Sequence, residues 1–125
     1  MENPDTSNAT ACNVLVVDND PLVRLGTVMM LREAGYSARF AQDAKTALAI
    51  LKEGYAPELM VTDYSMPGMN GVELARSVSA LGLGTLILIM TGHSKLEETT
   101  DEKWGILAKP FDTNELKTAI AELSH

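Results

Sequence analysis

Two runs in this chain, Asn13–Val17 (NVLVV) and Leu86–Met90 (LILIM), are apolar almost without interruption. A strand with one wet face alternates apolar and polar residues, so an unbroken run suits a strand buried on both faces. Helices packed on the two faces of a sheet supply that cover within a single chain. The chain has 125 residues, one domain's worth. That length can bury about two-thirds of the unfolded surface, and it needs no disulfide or metal staple to fold.

The remaining sequence fits that demand by alternating strand and helix signals. After Asn13–Val17, Asp20 reads as a helix N-cap and Pro21 as the first helical residue. Leu22, Leu25 and Met29 are predicted to form the apolar stripe of that helix, and Gly35 to end it. Ser37–Ala41 is a weaker strand. Asp43 caps a second helix whose Ala44, Ala47, Leu48 and Leu51 repeat at helical spacing, with Gly54 at its close. Leu59–Thr62 is a strand ending at Asp63, and Tyr64–Asn70 a loop. The next helix runs from about Gly71 to Ala80 and turns Leu74, Val78 and Leu81 inward. After LILIM and a polar stretch, Ile106–Ala108 is a short strand and Asp112 to Leu123 the last helix. Leu116, Ala119, Ile120 and Leu123 lie on one face of that helix. Five strand–helix units predict a parallel sheet with right-handed crossovers, in the flavodoxin-like order 2-1-3-4-5. Ser37–Ala41, with Arg39 inside it, and Ile106–Ala108 are the predicted edges.

Composition narrows the class. The chain is 46% hydrophobic and 22% charged, ordinary for a globular domain. A single cysteine, Cys12, rules out an internal disulfide. A net charge of −7 repels nucleic acid and anionic lipid, so neither is expected as a direct partner. The apolar run at Thr85–Met90 is far short of a membrane span, and the first eleven residues lack the basic and apolar regions of a signal peptide. The expectation is a cytoplasmic domain over residues 13–125 behind a flexible tail at 1–12.

In such a sheet, sites form beyond the carboxyl ends of the strands. There the sequence places Asp18, Asn19 and Asp20 after the first strand, Asp63 after the third, Thr91 after the fourth and Lys109 after the fifth. Clustered carboxylates resist joint ionisation unless a cation joins them. Hard oxygen ligands with open positions select Mg²⁺. Asp63, in the middle, is placed to act as a carboxylate nucleophile on phosphorus, giving an aspartyl-phosphate. Mg²⁺ and Lys109 would offset charge on the transferring group, and Thr91 would donate a hydrogen bond to it.

The segments VLVVDND, LMVTDYSMPGMNG, LIMTG and AKPF together resemble the receiver domain of two-component response regulators, from about Asn13 to Leu123. The most specific part is Asp63 followed by Met66, Pro67, Met69 and Gly71, joined to Lys109-Pro110-Phe111. The resemblance implies that Asp63 accepts a phosphoryl group from a sensor histidine kinase, a histidine phosphotransfer domain or a small phosphodonor. It implies that Asp18 and Asn19 serve Mg²⁺ with Asp63, that Thr91 and Lys109 bind the phosphate, and that Lys109–Pro110 is a cis bond. A monomer or weak dimer is expected, with no separate enzymatic domain in these residues. Asp20 reads as a cap before it reads as a metal ligand. Met66, Met69 and Met90 read as packing residues, Trp104 as surface or edge packing, and His93 and His125 as exposed.

Three positions depart from the family pattern. Asn19 stands where an acidic metal ligand is usual, and Ile106 stands three residues before the lysine, where the family has an aromatic ring. Thr91 and Lys109 are only 18 positions apart, so the fourth helix of the family is predicted to be degenerate. Residues 92–103 are predicted to form a loop with at most one or two helical turns, ordered on activation, as in many receivers of hybrid sensor kinases. Asn19 and Ile106 also suit an alternative, a pseudo-receiver used as an unphosphorylated docking module. An aspartate-nucleophile phosphatase of the haloacid dehalogenase type would need Asp two residues after Asp63, where Ser65 stands. A dinucleotide site would need a glycine-rich turn in place of NDPLVR.

Overall fold

A computed structural model describes residues 12–92 and 104–123. Its five parallel strands are β1 (Asn13–Val17), β2 (Ser37–Ala41), β3 (Leu59–Asp63), β4 (Leu86–Thr91) and β5 (Gly105–Ala108). They lie in the order β2-β1-β3-β4-β5, with β2 and β5 at the edges as expected. The described helices are α1 (Pro21–Glu33), α2 (Ala44–Lys52), α3 (Gly71–Ala80) and α4 (Thr113–Leu123). The expected loop at 92–103 and the two histidines fall, apart from Gly92, outside the described residues.

Strand alternation divides the interior in two. Leu15, Val17, Met60, Ile87 and Ile89 face one side and meet Ala47, Leu51, Leu74 and Val78 of α2 and α3. Val14, Val16, Val61, Leu88 and Met90 face the other and meet Val28, Leu31, Leu116 and Ile120 of α1 and α4. The two unbroken apolar runs are therefore the strands whose residues fill both layers. Met66, Met69 and Trp104 pack partly buried against the first layer.

Helix ends follow the local chemistry. The Asp20 carboxylate accepts from the backbone of Leu22 and Val23, ahead of Pro21. Gly35, at φ +99°, lets its own N–H reach the Arg32 carbonyl and the Tyr36 N–H reach that of Leu31. These two bonds satisfy carbonyls that the end of α1 leaves open. Asn70 and Glu73 cap α3 reciprocally, and Asp112 and Glu115 make the same pair before α4.

The inward face of α1 differs from the sequence expectation. Leu22, Leu25 and Met29 are more than half exposed, whereas Thr27, Val28 and Leu31 are buried. At about 100° per residue, the two sets lie on opposite sides of the helix. The apolar spacing of 22, 25 and 29 is genuine, but Asp20 and Pro21 fix where the helix starts and so how it turns toward the sheet. Leu81, also expected inside, is 39% exposed because α3 ends at Ala80. Leu31→Ala is expected to lower stability by about 2–5 kcal/mol, through lost burial and the cavity left behind. Leu25→Ala should stay within about 0.5 kcal/mol. Urea unfolding midpoints of the two variants check the orientation, and equal losses would contradict it.

Candidate functional site

The strand register brings the predicted site residues to one edge of the sheet. Val17 pairs with Thr62, so Asp18 and Asp63 follow side by side. Asp63 pairs with Met90 and Thr91 with Ala108, which sets Thr91 and Lys109 immediately beyond. Asp18, Asp63 and Thr91 are all buried, at 0%, 8% and 1% exposure. Asn19 is exposed, at the mouth of the site.

Lys109 joins the two carboxylates. Its Nζ lies 3.0 Å from Asp63 Oδ1 and 3.4 Å from Asp18 Oδ2. Its backbone N–H donates to the Thr91 carbonyl at 2.8 Å, and the bond to Pro110 is cis as implied. Burial pushes the Asp63 carboxyl above its ordinary range, and the nearby Asp18 adds to the rise. The hydrogen bond and charge of Lys109 oppose that rise, with help from the Tyr64 N–H. Two carboxylates thus share one ammonium, leaving negative charge that a divalent cation would offset.

Backbone contacts hold Asp63 in place. The Tyr64 N–H donates to the Met90 carbonyl and the Gly71 N–H to the Tyr64 carbonyl, each at 2.8 Å. Gly71 sits so close that a Cβ there would stand 2.5 Å from the Asp63 carbonyl oxygen. Gly71, the second glycine of the MPGMNG segment, is therefore demanded by approach, not by an unusual φ.

The donor set suits Mg²⁺ better than zinc or calcium. Mg²⁺ keeps several waters and takes one or two carboxylates with phosphate oxygens, and Asp18 and Asp63 supply two carboxylates. Among the described residues there is no group of three or more His, Cys, Asp and Glu able to hold a metal on their own. Asp20 serves α1 as its cap, with its N–H donated to Asp18 Oδ1 at 2.9 Å. No described helix is long and apolar enough to cross a membrane.

One residue at this edge was not singled out from sequence. Arg24 Nη1 donates to the Asp18 carbonyl at 3.0 Å. Its position was the available signal, since a cation near a helix N-terminus opposes the macrodipole and calls for a local partner.

Comparison with known proteins places this geometry. The model of the response regulator receiver domain matches residues 14–121. The chain is 29% identical over 123 residues to the sensor kinase CckA of Brucella abortus, covering 94% of this chain but only 13% of that protein. It is 29% identical to sporulation initiation phosphotransferase F of Bacillus subtilis, over 86% of this chain and 89% of that one. The chemotaxis response regulator CheY4 of Vibrio cholerae has a similar structure, with TM-score 0.81 and 28% identity over 90% of this chain and 98% of that one. The chain belongs to the response regulator receiver family of two-component phosphorelay signalling.

Proposed function

We propose that Asp63 is the phosphoacceptor and that Asp18, Asn19 and Asp63 hold Mg²⁺. The bridge from Lys109 Nζ to both Asp63 and Asp18 carries this reading. An Asp63 carboxylate oxygen attacks phosphorus, the bond from phosphorus to the donor's imidazole nitrogen breaks, and the imidazole keeps the electron pair. Lys109 offsets charge on the transferring oxygens, and the Thr91 hydroxyl donates to one of them. When bound, Mg²⁺ supplies the remaining positive charge at those oxygens. The phosphodonor is a sensor histidine kinase or a histidine phosphotransfer domain.

The domain covers residues 13–125 and works in the cytoplasm. It is a monomer or weak dimer, binds neither nucleic acid nor membrane directly, and promotes its own phosphorylation. Incubation with a small phosphodonor and Mg²⁺, followed by intact mass, tests the reading. One base-labile phosphoryl increment is expected. No increment would favour the docking module that Asn19 and the exposed Ile106 also suit.

Asn19 offers a separate check on the metal. A carboxylate about 4 Å from a divalent cation adds roughly 8 kcal/mol of attraction at an effective dielectric near 20, before desolvation. Asn19→Asp is therefore expected to tighten Mg²⁺ binding in a calorimetric titration. Unchanged or weaker binding would place residue 19 outside the metal's coordination.

A further inference from the structure

We infer that Arg24 is a positioning residue for the Mg²⁺ site, acting through the peptide that joins Asp18 to Asn19. The inference rests on the metal reading above and adds a residue to it. Asp18 is fully buried, so its backbone groups need partners inside the protein. Its N–H donates to the Ala41 carbonyl at 3.2 Å, and its carbonyl accepts from Arg24 Nη1 at 3.0 Å. Its Oδ1 accepts from the Asp20 N–H at 2.9 Å. These three bonds fix the plane of the peptide, the rotamer of the Asp18 carboxylate and the direction in which Asn19 leaves the chain.

The guanidinium is itself held. It lies 5.2 Å from the centre of the Phe40 ring, on the edge strand β2. Among the described residues Arg24 makes no ion pair, so its charge is not spent on a carboxylate. Without Arg24, the Asp18 carbonyl would be a buried acceptor with no donor. The peptide would turn to find water, carrying Asn19 away and loosening Asp18. Partners behind metal ligands act in this way, by fixing ligand orientation.

The sign of the effect separates positioning from charge. Removing a cation beside an acidic site would by itself tighten Mg²⁺ binding. Loss of positioning would weaken it. Arg32 is the control, because its Nη2 donates to the Ala38 carbonyl at 2.8 Å from the same helix, away from the site.

The test is calorimetric titration of the full chain with Mg²⁺, paired with phosphodonor labelling at low and saturating Mg²⁺. Arg24→Gln is expected to weaken Mg²⁺ binding about tenfold, with Arg24→Lys between it and the parent. Arg32→Gln should bind like the parent. Labelling of Arg24→Gln should be slow at low Mg²⁺ and recover at saturation, which a general loss of fold would not do. If Arg24→Gln does not fold, Phe40→Ala keeps the cation but loosens it, and a loss of about threefold is expected. Arg24→Gln binding as tightly as Arg32→Gln, or more tightly, overturns the inference, as does an unaffected Phe40→Ala. A parent chain that takes up no Mg²⁺ overturns the metal reading itself, and this inference with it.

Discussion

Asp63→Asn is expected to abolish phosphoryl labelling, with intact mass unchanged after incubation with phosphodonor and Mg²⁺. The amide keeps the shape of the side chain and loses the nucleophile. Labelling that persists at the parent level would place the acceptor elsewhere. In the parent without Mg²⁺, Asp63 should take up its proton above the ordinary carboxylate range, because burial raises that group. The same shift fixes a stability difference. Between the unfolded and the raised folded pKa the native state binds more protons than the unfolded one, so stability falls as pH rises through that window. Asp63→Asn escapes this loss. It should therefore melt at a higher temperature than the parent at neutral pH, with the pH-dependent part of the difference gone once both states are protonated. A lower midpoint at neutral pH would mean that the Lys109 contact outweighs the burial of the carboxylate.

Gly71→Ala is expected to be nearly as damaging, although residue 71 has no side chain to take part in the chemistry. The new methyl group would meet the Asp63 carbonyl oxygen at 2.5 Å and the Tyr64 Cα at 2.9 Å, both backbone atoms. Overpacking of this kind costs about 1–3 kcal/mol. Relief requires β3 and the start of α3 to separate, and a displacement near 1 Å at the reacting group costs about 100-fold in rate. Gly26→Ala is the matching control, since a Cβ there meets nothing within 4 Å inside α1. It should gain about 0.5–1 kcal/mol from helix propensity and label at the parent rate. Equal labelling by the two variants would show that the loop after β3 absorbs the methyl group without moving Asp63.

Sheet order and site placement were legible because each depends on few interactions. An unbroken apolar run states that both faces of a strand are covered, and a polar residue at its carboxyl end has one place to go. Asp18, Asp63, Thr91 and Lys109 needed no further information to be brought together. The rotation of α1 was less legible, since Leu22, Leu25 and Met29 form as regular a stripe as the buried set. Thr27 disguises the inward face, because its hydroxyl donates to the Val23 carbonyl at 2.9 Å inside the helix and lets a polar residue be buried. Arg24 was equally hard to read, because its partner is a backbone carbonyl, a group every residue possesses.

The two faces of α1 give this domain separate controls. Substitutions at Thr27, Val28 and Leu31 act on whether the chain stays folded, because those side chains complete an interior layer. Substitutions at Leu22, Leu25 and Met29 act mainly on what solvent and other molecules encounter. An engineer can therefore rewrite the outer three for solubility while the unfolding midpoint and Asp63 stay where they are. A chain whose apolar residues had all turned inward would offer no such freedom.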